Sequence, residues 1–375
     1  MKHGRKLLSV IVSIVLIATA LVGCGSKESS DKTDTKTTPT VAPTVTTAPT
    51  TAAPTQAQVE YPKTVTIGYF TMNDDNNLVK ENGWLEEELS KSGTTVKWVN
   101  FQAGRDMNNA ILSKSIDFAG GIGDPPVAIA ASTSIPYQIF WVSTVLGESE
   151  ALVAKNSAKI SSIKDLKGKK IATTVSSTSH YSLLSALELE GLTAKDVKII
   201  DLNPTDIVAA WKRGDIDAAY TWDPSLGELY ADGTKLISSK ELATKGAPTA
   251  GYNIVSDEFA SKYPQVIELY LKALIKAHDL YAADPDKSAE QWAKANSITK
   301  EEALKQAKGN VWLTVDEELS SAYLGTSAAK GNSVNSLKKI GDFLVDQKSL
   351  EKKLDASAYD KYINPSYLEK VKAEQ

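Results

Sequence analysis

The sequence predicts an α/β protein in which two lobes are joined by two crossings of the chain. Short β-branched apolar segments alternate with amphipathic segments through residues 60–142, as in a βαβα sheet with helices on both faces. A second run with the same rhythm follows it. Residues 60–375 are also too many for a single small core and suit two lobes.

The order of these segments along the chain predicts which residues belong to each lobe. In the first run we predict strands and helices that include a helix face over 77–90, and a strand at 148–154 leaving the sheet. Residues 251–255 are predicted to cross back to the first lobe, and from Tyr263 onward the pattern is helical only. The first lobe is therefore expected to be discontinuous and the second inserted, with bounds of 60–154 plus 250–375 for the first and 155–249 for the second.

The amino-terminal segment has the pattern of an export signal. Lys2, Arg5 and Lys6 precede an uncharged apolar run over 7–22, which is too short for a convincing membrane-spanning helix. The run ends in Leu-Val-Gly-Cys, which looks like the bacterial lipoprotein processing box. We predict a signal peptide over residues 1–24 that ends at a lipidated Cys24, although Cys24 could be incidental. That anchor would hold the protein at the outer face of the cytoplasmic membrane.

Residues 25–59 consist mainly of Thr, Ala, Pro, Ser and Lys, so we predict a disordered tether. Cys24 is the only cysteine, which excludes an internal disulfide. The net charge of −4 is mild, and no basic face suggests nucleic acid. No metal-ligand cluster, Gly-rich phosphate loop or Ser-His-Asp order stands out, so we expect no cofactor, no metal and no enzymatic activity.

One stretch organises the predicted site. A β-branched strand over 169–175 runs into six hydroxyl, imidazole and phenol side chains, Ser176 to Tyr181, and then into a helical Leu pattern. A strand that enters a helix through such a turn presents free backbone N–H groups and hydroxyl donors to a small anion. The alternative is an ordinary helix N-cap, for which one such residue would suffice.

Other strand ends are expected to converge on the same cleft, because ligands of open α/β sheets bind at the carboxyl ends of strands and between domains. The predicted ligand-binding residues are Tyr69, Thr71, Asp124, Glu150, Ser177, Thr178, Ser179, His180, Tyr181, Trp222 and Asp223. For some of them a structural role is the competing interpretation. Asp124 could cap its helix, Glu150 could be a surface residue, His180 could pack beside the turn, and Trp222 could belong to the core. Arg105 is either an anion ligand or a solvated helix residue.

Several motifs carry a family resemblance. Residues 146–153 (LGESEALV), 177–184 (STSHYSLL), 211–220 (WKRGDIDAAY), 246–249 (GAPT) and 309–314 (GNVWLT) resemble the taurine-binding members of the nitrate/sulfonate/taurine group of ABC-importer substrate-binding proteins. The resemblance covers nearly all of residues 63–345. It implies a bilobal type II periplasmic-binding-protein fold that closes over a small aminosulfonate and hands it to a membrane permease, working as a monomer.

The ligand chemistry implied by the resemblance matches the residues. A sulfonate has three weakly basic oxygens and favours several neutral donors, which the Ser177–Tyr181 turn supplies. An ammonium group favours a carboxylate and aromatic faces, for which Glu150, Trp222 and Tyr69 are the candidates. Asp124 stands where a small hydroxyl residue is expected, and Asp223 adds another acid. These two departures favour a more cationic ligand than taurine, or a reversed orientation.

Two other functions are also compatible with the sequence. The same fold resembles proteins of thiamine-pyrimidine biosynthesis, so an enzyme of that kind is one alternative. A sensor receptor that reports ligand occupancy to a signalling partner is the other. The export signal argues against the enzyme, and the sequence does not separate the sensor from the transport receptor.

Overall fold

The computed structural model describes residues 59–375. The predicted signal peptide, Cys24 and the tether up to residue 58 lie outside the described residues. The described chain is α/β, as predicted, and contains two five-stranded sheets. The strands are β1 (Thr64–Tyr69), β2 (Thr95–Asn100), β3 (Phe118–Gly123), β4 (Tyr137–Val145), β5 (Glu150–Lys155), β6 (Lys170–Thr173), β7 (Lys198–Asp201), β8 (Ala218–Trp222), β9 (Gly233–Ser238) and β10 (Ala250–Ser256).

Helices connect and cover the strands. The helices are α1 (Asp75–Asn82), α2 (Trp84–Ser90), α3 (Gly104–Leu112), α4 (Asp124–Thr133), α5 (Thr178–Leu189), α6 (Pro204–Arg213), α7 (Ser225–Leu229), α8 (Ser239–Thr244), α9 (Asp257–Lys262), α10 (Pro264–Ala283), α11 (Pro285–Asn296), α12 (Lys300–Ala307), α13 (Val315–Glu318), α14 (Ser333–Asp346), α15 (Ala356–Asp360) and α16 (Ser366–Ala373). From Tyr263 onward these named elements are all helices, as the sequence pattern predicts. No helix within 59–375 is both long and apolar enough to cross a membrane.

The first lobe is built on a sheet with strand order β2-β1-β3-β10-β4. β1 is parallel to β2 and β3, and β10 runs antiparallel between β3 and β4. Both faces are covered, which explains the continuous apolar runs in the sequence. The long helix α10 packs here through the fully buried Tyr270, whose ring meets those of Phe118 and Phe140 at centroid distances of 5.4 and 6.0 Å.

The second lobe is built on a sheet with strand order β7-β6-β8-β5-β9. β6 is parallel to β7 and β8, whereas β5 is antiparallel to β8 and β9. In the β5–β8 pair, Glu150 lies opposite Trp222, so two predicted site residues share one position of the ladder. Parallel β6 and β8 both direct their carboxyl ends toward this edge, which is where a cleft is expected.

Three details differ from the sequence prediction. Residues 150–154 were expected to end the first lobe, but β5 belongs to the second sheet, because its apolar residues pair with β8 and β9. The expected helix over 77–90 is two helices, broken at Gly83, whose φ of 65° ends α1 in the left-handed conformation that glycine favours. β9 was not predicted, because its Gly-Thr-Lys beginning is polar and largely solvent-facing.

Candidate functional site

A cleft lies between the edges of the two sheets and holds about 450 Å³ of space, part of it open to solvent. The first lobe lines it with the residue after β1, with glycines of β3 and with the start of β10. The second lobe adds the first residue of β5, the start of α5 and the end of β8. The lining residues are Phe70, Met72, Gly104, Gly121, Gly123, Pro126, Thr144, Leu146, Glu150, Ser177, Thr178, Trp222, Ala250 and Gly251.

The amino-terminal end of α5 presents unpaired amides to this cleft. Ser177 is the N-cap: its Oγ accepts from the amide of His180 at 3.3 Å, and its carbonyl accepts from the amide of Tyr181 at 3.1 Å. The amides of Thr178 and Ser179 have no acceptor within residues 59–375. The first turn of α5 also lacks an acidic residue. Free N–H groups at a helix start are the feature on which anion sites are built, and the predicted binding of an anion here stays a prediction.

Glu150 lies beside the same helix end and is only 1% exposed. Its Oε2 accepts from the hydroxyl of Thr178 at 2.7 Å, and its Oε1 accepts from that of Ser239 at 3.3 Å. Burial raises the pKa of Glu150 to about 7, more than these hydrogen bonds lower it. No Lys, Arg or His of the described chain forms an ion pair with it. A buried carboxyl group without a counterion is suited to a cationic group of a ligand.

Aromatic rings form one wall of the cleft. Trp222, at the end of β8, packs edge-to-face against Phe70 of the first lobe, with 6.4 Å between the ring centroids and 68° between the planes. Trp222 is half-buried and Phe70 is buried. Trp222 lies directly opposite Glu150 in the β5–β8 ladder, so a cation at the carboxylate would also be near an aromatic ring.

Asp124 is buried, yet it is absent from the residues that line the cleft. Its carboxylate accepts from the backbone amide of Ala250 and, at 2.9 Å, from the hydroxyl of Tyr252. These two bonds join the first residue of α4 to β10. Burial raises the pKa of Asp124 to about 7. The structure thus gives Asp124 a role in connecting elements of the first lobe.

Asp223 likewise contributes to local structure. Its Oδ1 accepts from the amide of Gly227 at 3.0 Å, and its own amide donates to the carbonyl of Ser149 at 2.9 Å. Burial raises the pKa of Asp223 to about 7. It follows Trp222 directly but is not among the residues that line the cleft.

Tyr69 and Thr71, the predicted site residues at the carboxyl end of β1, do not line the cleft, whereas the residues next to them do. The ring of Tyr69 packs edge-to-face on Trp98 at 5.9 Å, and exposed Thr71 accepts from the side-chain amide of Asn100 at 2.9 Å. Phe70 and Met72 line the cleft instead. Successive side chains of an extended segment point to opposite sides. A prediction that is wrong by one residue therefore selects Tyr69 and Thr71 instead of Phe70 and Met72.

Three residues in the first turn of α5 pack behind the cleft. Ser179 is fully buried, and its Oγ has no hydrogen-bond partner within residues 59–375. Nδ1 of His180 accepts from the amide of Ser176 at 3.4 Å, and burial lowers the pKa of His180. Tyr181 packs edge-to-face on Phe343 at 4.9 Å. Of the predicted turn, Ser177 and Thr178 are the residues that reach the cleft.

Asp74 was missed by the sequence analysis. It caps α1 through Oδ1, which accepts from the amide and the side chain of Asn77 at 2.9 and 2.7 Å. Its Oδ2 lies 3.7 Å from the position that a Cβ on Gly121 would take. The buried hydroxyl of Ser143, which has no hydrogen-bond partner among the described residues, lies 3.9 Å from that position. Burial, with Asp75 adding to it, raises the pKa of Asp74 to about 7. The available signal was the acidic pair that follows a strand end.

A buried network fixes the helix that Asp74 caps. The indole of Trp141 donates to Oδ2 of Asp75 at 2.7 Å, and Nε2 of His278 lies 3.1 Å from the same oxygen. These contacts join α1 to β4 and α10. Within residues 59–375, no group of three His, Cys, Asp or Glu side chains could hold a metal ion.

Comparison with known proteins identifies the family. The family model described as NMT1/THI5 like matches residues 78–288. The chain belongs to the NMT1/THI5-like family. A taurine-binding periplasmic protein of Escherichia coli (strain K12) is 36% identical to this family member over 260 residues, which cover 68% of this chain and 79% of that protein.

Solved structures place this NMT1/THI5-like chain in a bilobal fold. The alkanesulfonate-binding protein SsuA from Xanthomonas axonopodis pv. citri, bound to MOPS, superposes with a TM-score of 0.67 at 22% identity over 80% of this chain and 98% of that one. The periplasmic aliphatic sulphonate binding protein SsuA from Escherichia coli gives a TM-score of 0.64 at 22% identity over 80% and 92%. The predicted periplasmic-binding-protein fold is therefore confirmed, and these relatives are periplasmic binding proteins.

Proposed function

We propose that this protein is the extracytoplasmic binding subunit of an ABC importer and captures taurine or a related small aminosulfonate. The observation that carries the proposal is the position of Thr178. Its backbone amide, at the start of α5, has no acceptor in the part of the chain that the structure describes, and its hydroxyl donates to the buried Glu150 at 2.7 Å. Thr178 therefore belongs to the proposed anion site, called the anion seat below and formed by the amides of Thr178 and Ser179, and also contacts the carboxyl group of Glu150.

The sulfonate is assigned to the helix end. Its three oxygens accept from the amides of Thr178 and Ser179, and the α5 dipole favours negative charge at this end. No basic side chain is required, because a sulfonate is a weak base that is held well by several neutral donors. The hydroxyl of Ser177 already accepts from the amide of His180 and donates to the carbonyl of Thr174 at 2.6 Å, so Ser177 positions the helix end and does not bind the sulfonate.

The ammonium group is assigned to Glu150. The ammonium lies within reach of the carboxylate when the sulfonate occupies the helix end, since taurine separates its two charged groups by only two carbons. Trp222 and Phe70 cover the methylenes and exclude water, which strengthens the ion pair. The other predicted residues, Tyr69, Thr71, Asp124, His180, Tyr181 and Asp223, then support the walls of the site.

Ligand capture would proceed by closure of the two lobes, 60–149 plus 250–375 and 150–249, around the ligand. Both lobes contribute lining residues, so the site is complete only when they are together. Consistent with delivery to a permease, we also retain the lipid anchor at Cys24 and the outer face of the cytoplasmic membrane as parts of the proposal.

Titration calorimetry with three probes tests the function. Taurine carries both charges, ethanesulfonate lacks the ammonium, and ethylamine lacks the sulfonate. We expect taurine to bind most tightly, ethanesulfonate more weakly and ethylamine weakly or not at all. Failure of all sulfonates to bind, in a preparation that unfolds cooperatively, would exclude the proposed function.

A more cationic ligand is the second candidate, and Asp74 is the observation that favours it. Its Oδ2 and the hydroxyl of Ser143 flank Gly121, which lines the cleft, so a second carboxyl group stands near the first-lobe wall. A small betaine or a polyamine would use Asp74 as well as Glu150. Tighter binding of such a cation than of taurine, and its loss on Asp74→Asn, would establish this alternative.

A further inference from the structure

Arg105 connects the two lobes. It is the second residue of α3 in the first lobe, and its Nη1 donates to the carbonyl of Val175 at 3.0 Å in the second lobe. The same nitrogen lies 2.9 and 3.2 Å from the two carboxylate oxygens of Asp201, at the end of β7. Arg105 is therefore a partly exposed helix residue with partners in the other lobe, and it is not among the residues that line the cleft.

Asp201 closes the contact on the other side. Its Oδ1 accepts from the amide of Val175 at 2.9 Å while it pairs with Arg105. Both backbone polar groups of Val175 are thus held by one ion pair that spans the lobes. Thr174, the residue before Val175, is held within the second lobe, because its hydroxyl donates to the carbonyl of Leu202 at 2.9 Å.

The clamped segment leads directly into the anion seat. Ser176 follows Val175 and has a φ of 66°, a left-handed conformation that is strained for a residue with a side chain. Ser177 and Thr178 come next, at the start of α5. A strained residue persists where its surroundings hold it, and Arg105 holds the residue before it. The orientation of the free amides therefore depends on a contact from the opposite lobe.

We propose that Arg105 is a positioning residue that couples lobe closure to assembly of the anion seat, without touching the ligand. This inference rests on the proposed function for its ligand, but not for its geometry. When the lobes separate, the bonds from Arg105 to Val175 and Asp201 break, and the segment 174–177 relaxes. A bound anion is then released quickly, so Arg105 acts chiefly on the dissociation rate.

Hydrogen exchange measured by mass spectrometry tests the clamp without any ligand. The change is Arg105→Ala, and the matched control is Arg213→Ala, which removes an exposed ion pair of Nε with Asp215 at 2.7 Å inside one lobe. We expect faster exchange in peptides that cover 174–181 for Arg105→Ala alone, with the rest of the second lobe unchanged. Equal exchange in wild type and Arg105→Ala overturns the proposal.

Stopped-flow dissociation of taurine tests the consequence. Arg105→Ala is expected to raise the dissociation rate at least tenfold, with a smaller effect at high salt because both side chains are partly exposed. Arg105→Lys keeps the charge but not the planar guanidinium that reaches both Val175 and Asp201, so its dissociation rate should lie between those of wild type and Arg105→Ala. An unchanged dissociation rate counts against the proposal. If wild type binds no sulfonate, the proposed function fails while the exchange experiment still decides the role of Arg105.

Discussion

The hydroxyl of Thr178 donates to the carboxylate of Glu150 at 2.7 Å, across the junction of α5 and β5. This bond brings a buried acid to the amino-terminal end of a helix, where a negative charge is already favoured. Two anions would compete there, unless the ligand brings its own cation to the carboxylate. We therefore expect the pair to discriminate a zwitterion from a simple anion.

Glu150→Gln should weaken taurine binding about 10- to 100-fold, because a hydrogen bond to a charged group contributes about 1.5–3 kcal/mol. The glutamine keeps an acceptor for Thr178, so the helix end should stay intact. Ethanesulfonate, which has no ammonium group, should lose little affinity. Calorimetry with both ligands measures the difference, and Glu148→Gln, whose carboxylate pairs on the surface with Lys235 at 2.8 Å, is the control. An equal loss for both ligands would contradict the role assigned to Glu150.

Taurine affinity should rise between pH 6 and pH 8. Burial raises the pKa of Glu150 to about 7, so its carboxylate is mostly neutral at pH 6 and mostly charged at pH 8. The ammonium requires the charged form, which gives up to about a tenfold change in affinity per pH unit below that pKa. Calorimetry across this range should show the slope in wild type and its absence in Glu150→Gln. A slope that persists in the variant would assign it to another group.

Gly123→Ala should impair closure. A Cβ at this position would lie 2.6 Å from Cγ2 of Thr178, which belongs to the other lobe. We expect about tenfold weaker taurine binding, with an unchanged free energy of unfolding because the clash exists only between closed lobes. Adding Thr178→Ser removes the methyl group and keeps the hydroxyl, so it should restore much of the affinity. Calorimetry and urea unfolding check both variants, and an absence of rescue would argue against the contact.

Asp124 should make the protein more stable in mild acid. Burial raises its folded-state pKa to about 7, above the ordinary value of 3.8, so its contribution is fully present below the unfolded-state pKa. That contribution is lost as the pH rises through about 7, at up to about 1.4 kcal/mol per pH unit. Urea unfolding at pH 5 to 8 should show a shallower slope for Asp124→Asn than for wild type.

The exposed variant Asp215→Asn is the control for that experiment, since its carboxylate forms a surface ion pair with Arg213. It should retain the wild-type dependence on pH. If Asp124→Asn also retains it, the other acids whose pKa is raised by burial, Asp74, Asp117, Glu150, Asp223 and Glu318, carry the whole effect.

The parts of the site that sequence could predict are those set by local chemistry. The turn before α5 combines a β-branched strand, a capping serine and a Leu pattern within about twenty residues, and each signal acts over a few positions. Glu150 and Trp222 were found because both stand at strand ends. The α/β class and the helical carboxyl-terminal segment follow from periodicity in the same way.

The parts that sequence could not predict depend on distant partners or on a one-residue phase. Asp124 accepts a hydrogen bond from Ala250, which lies 126 residues away in the sequence, and no pattern near Asp124 indicates that partner. Tyr69 and Thr71 were predicted instead of Phe70 and Met72, because a strand that is covered on both faces has no alternation of apolar and polar residues. Without that alternation, the sequence does not show which residues face the cleft. Arg105 has the same difficulty, since its partner Asp201 lies 96 residues away.

The position of β10 has a consequence for the order in which the chain can fold. β10 lies between β3 and β4, although the chain reaches it only after every strand of the second sheet. The second sheet is contiguous from Glu150 to Ser238 and can form from its own residues. The first sheet has a gap until residues 250–256 arrive, and β4 has no other neighbouring strand in the sheet order. The inserted lobe is therefore able to fold early, and the lobe that begins and ends the described chain is completed last.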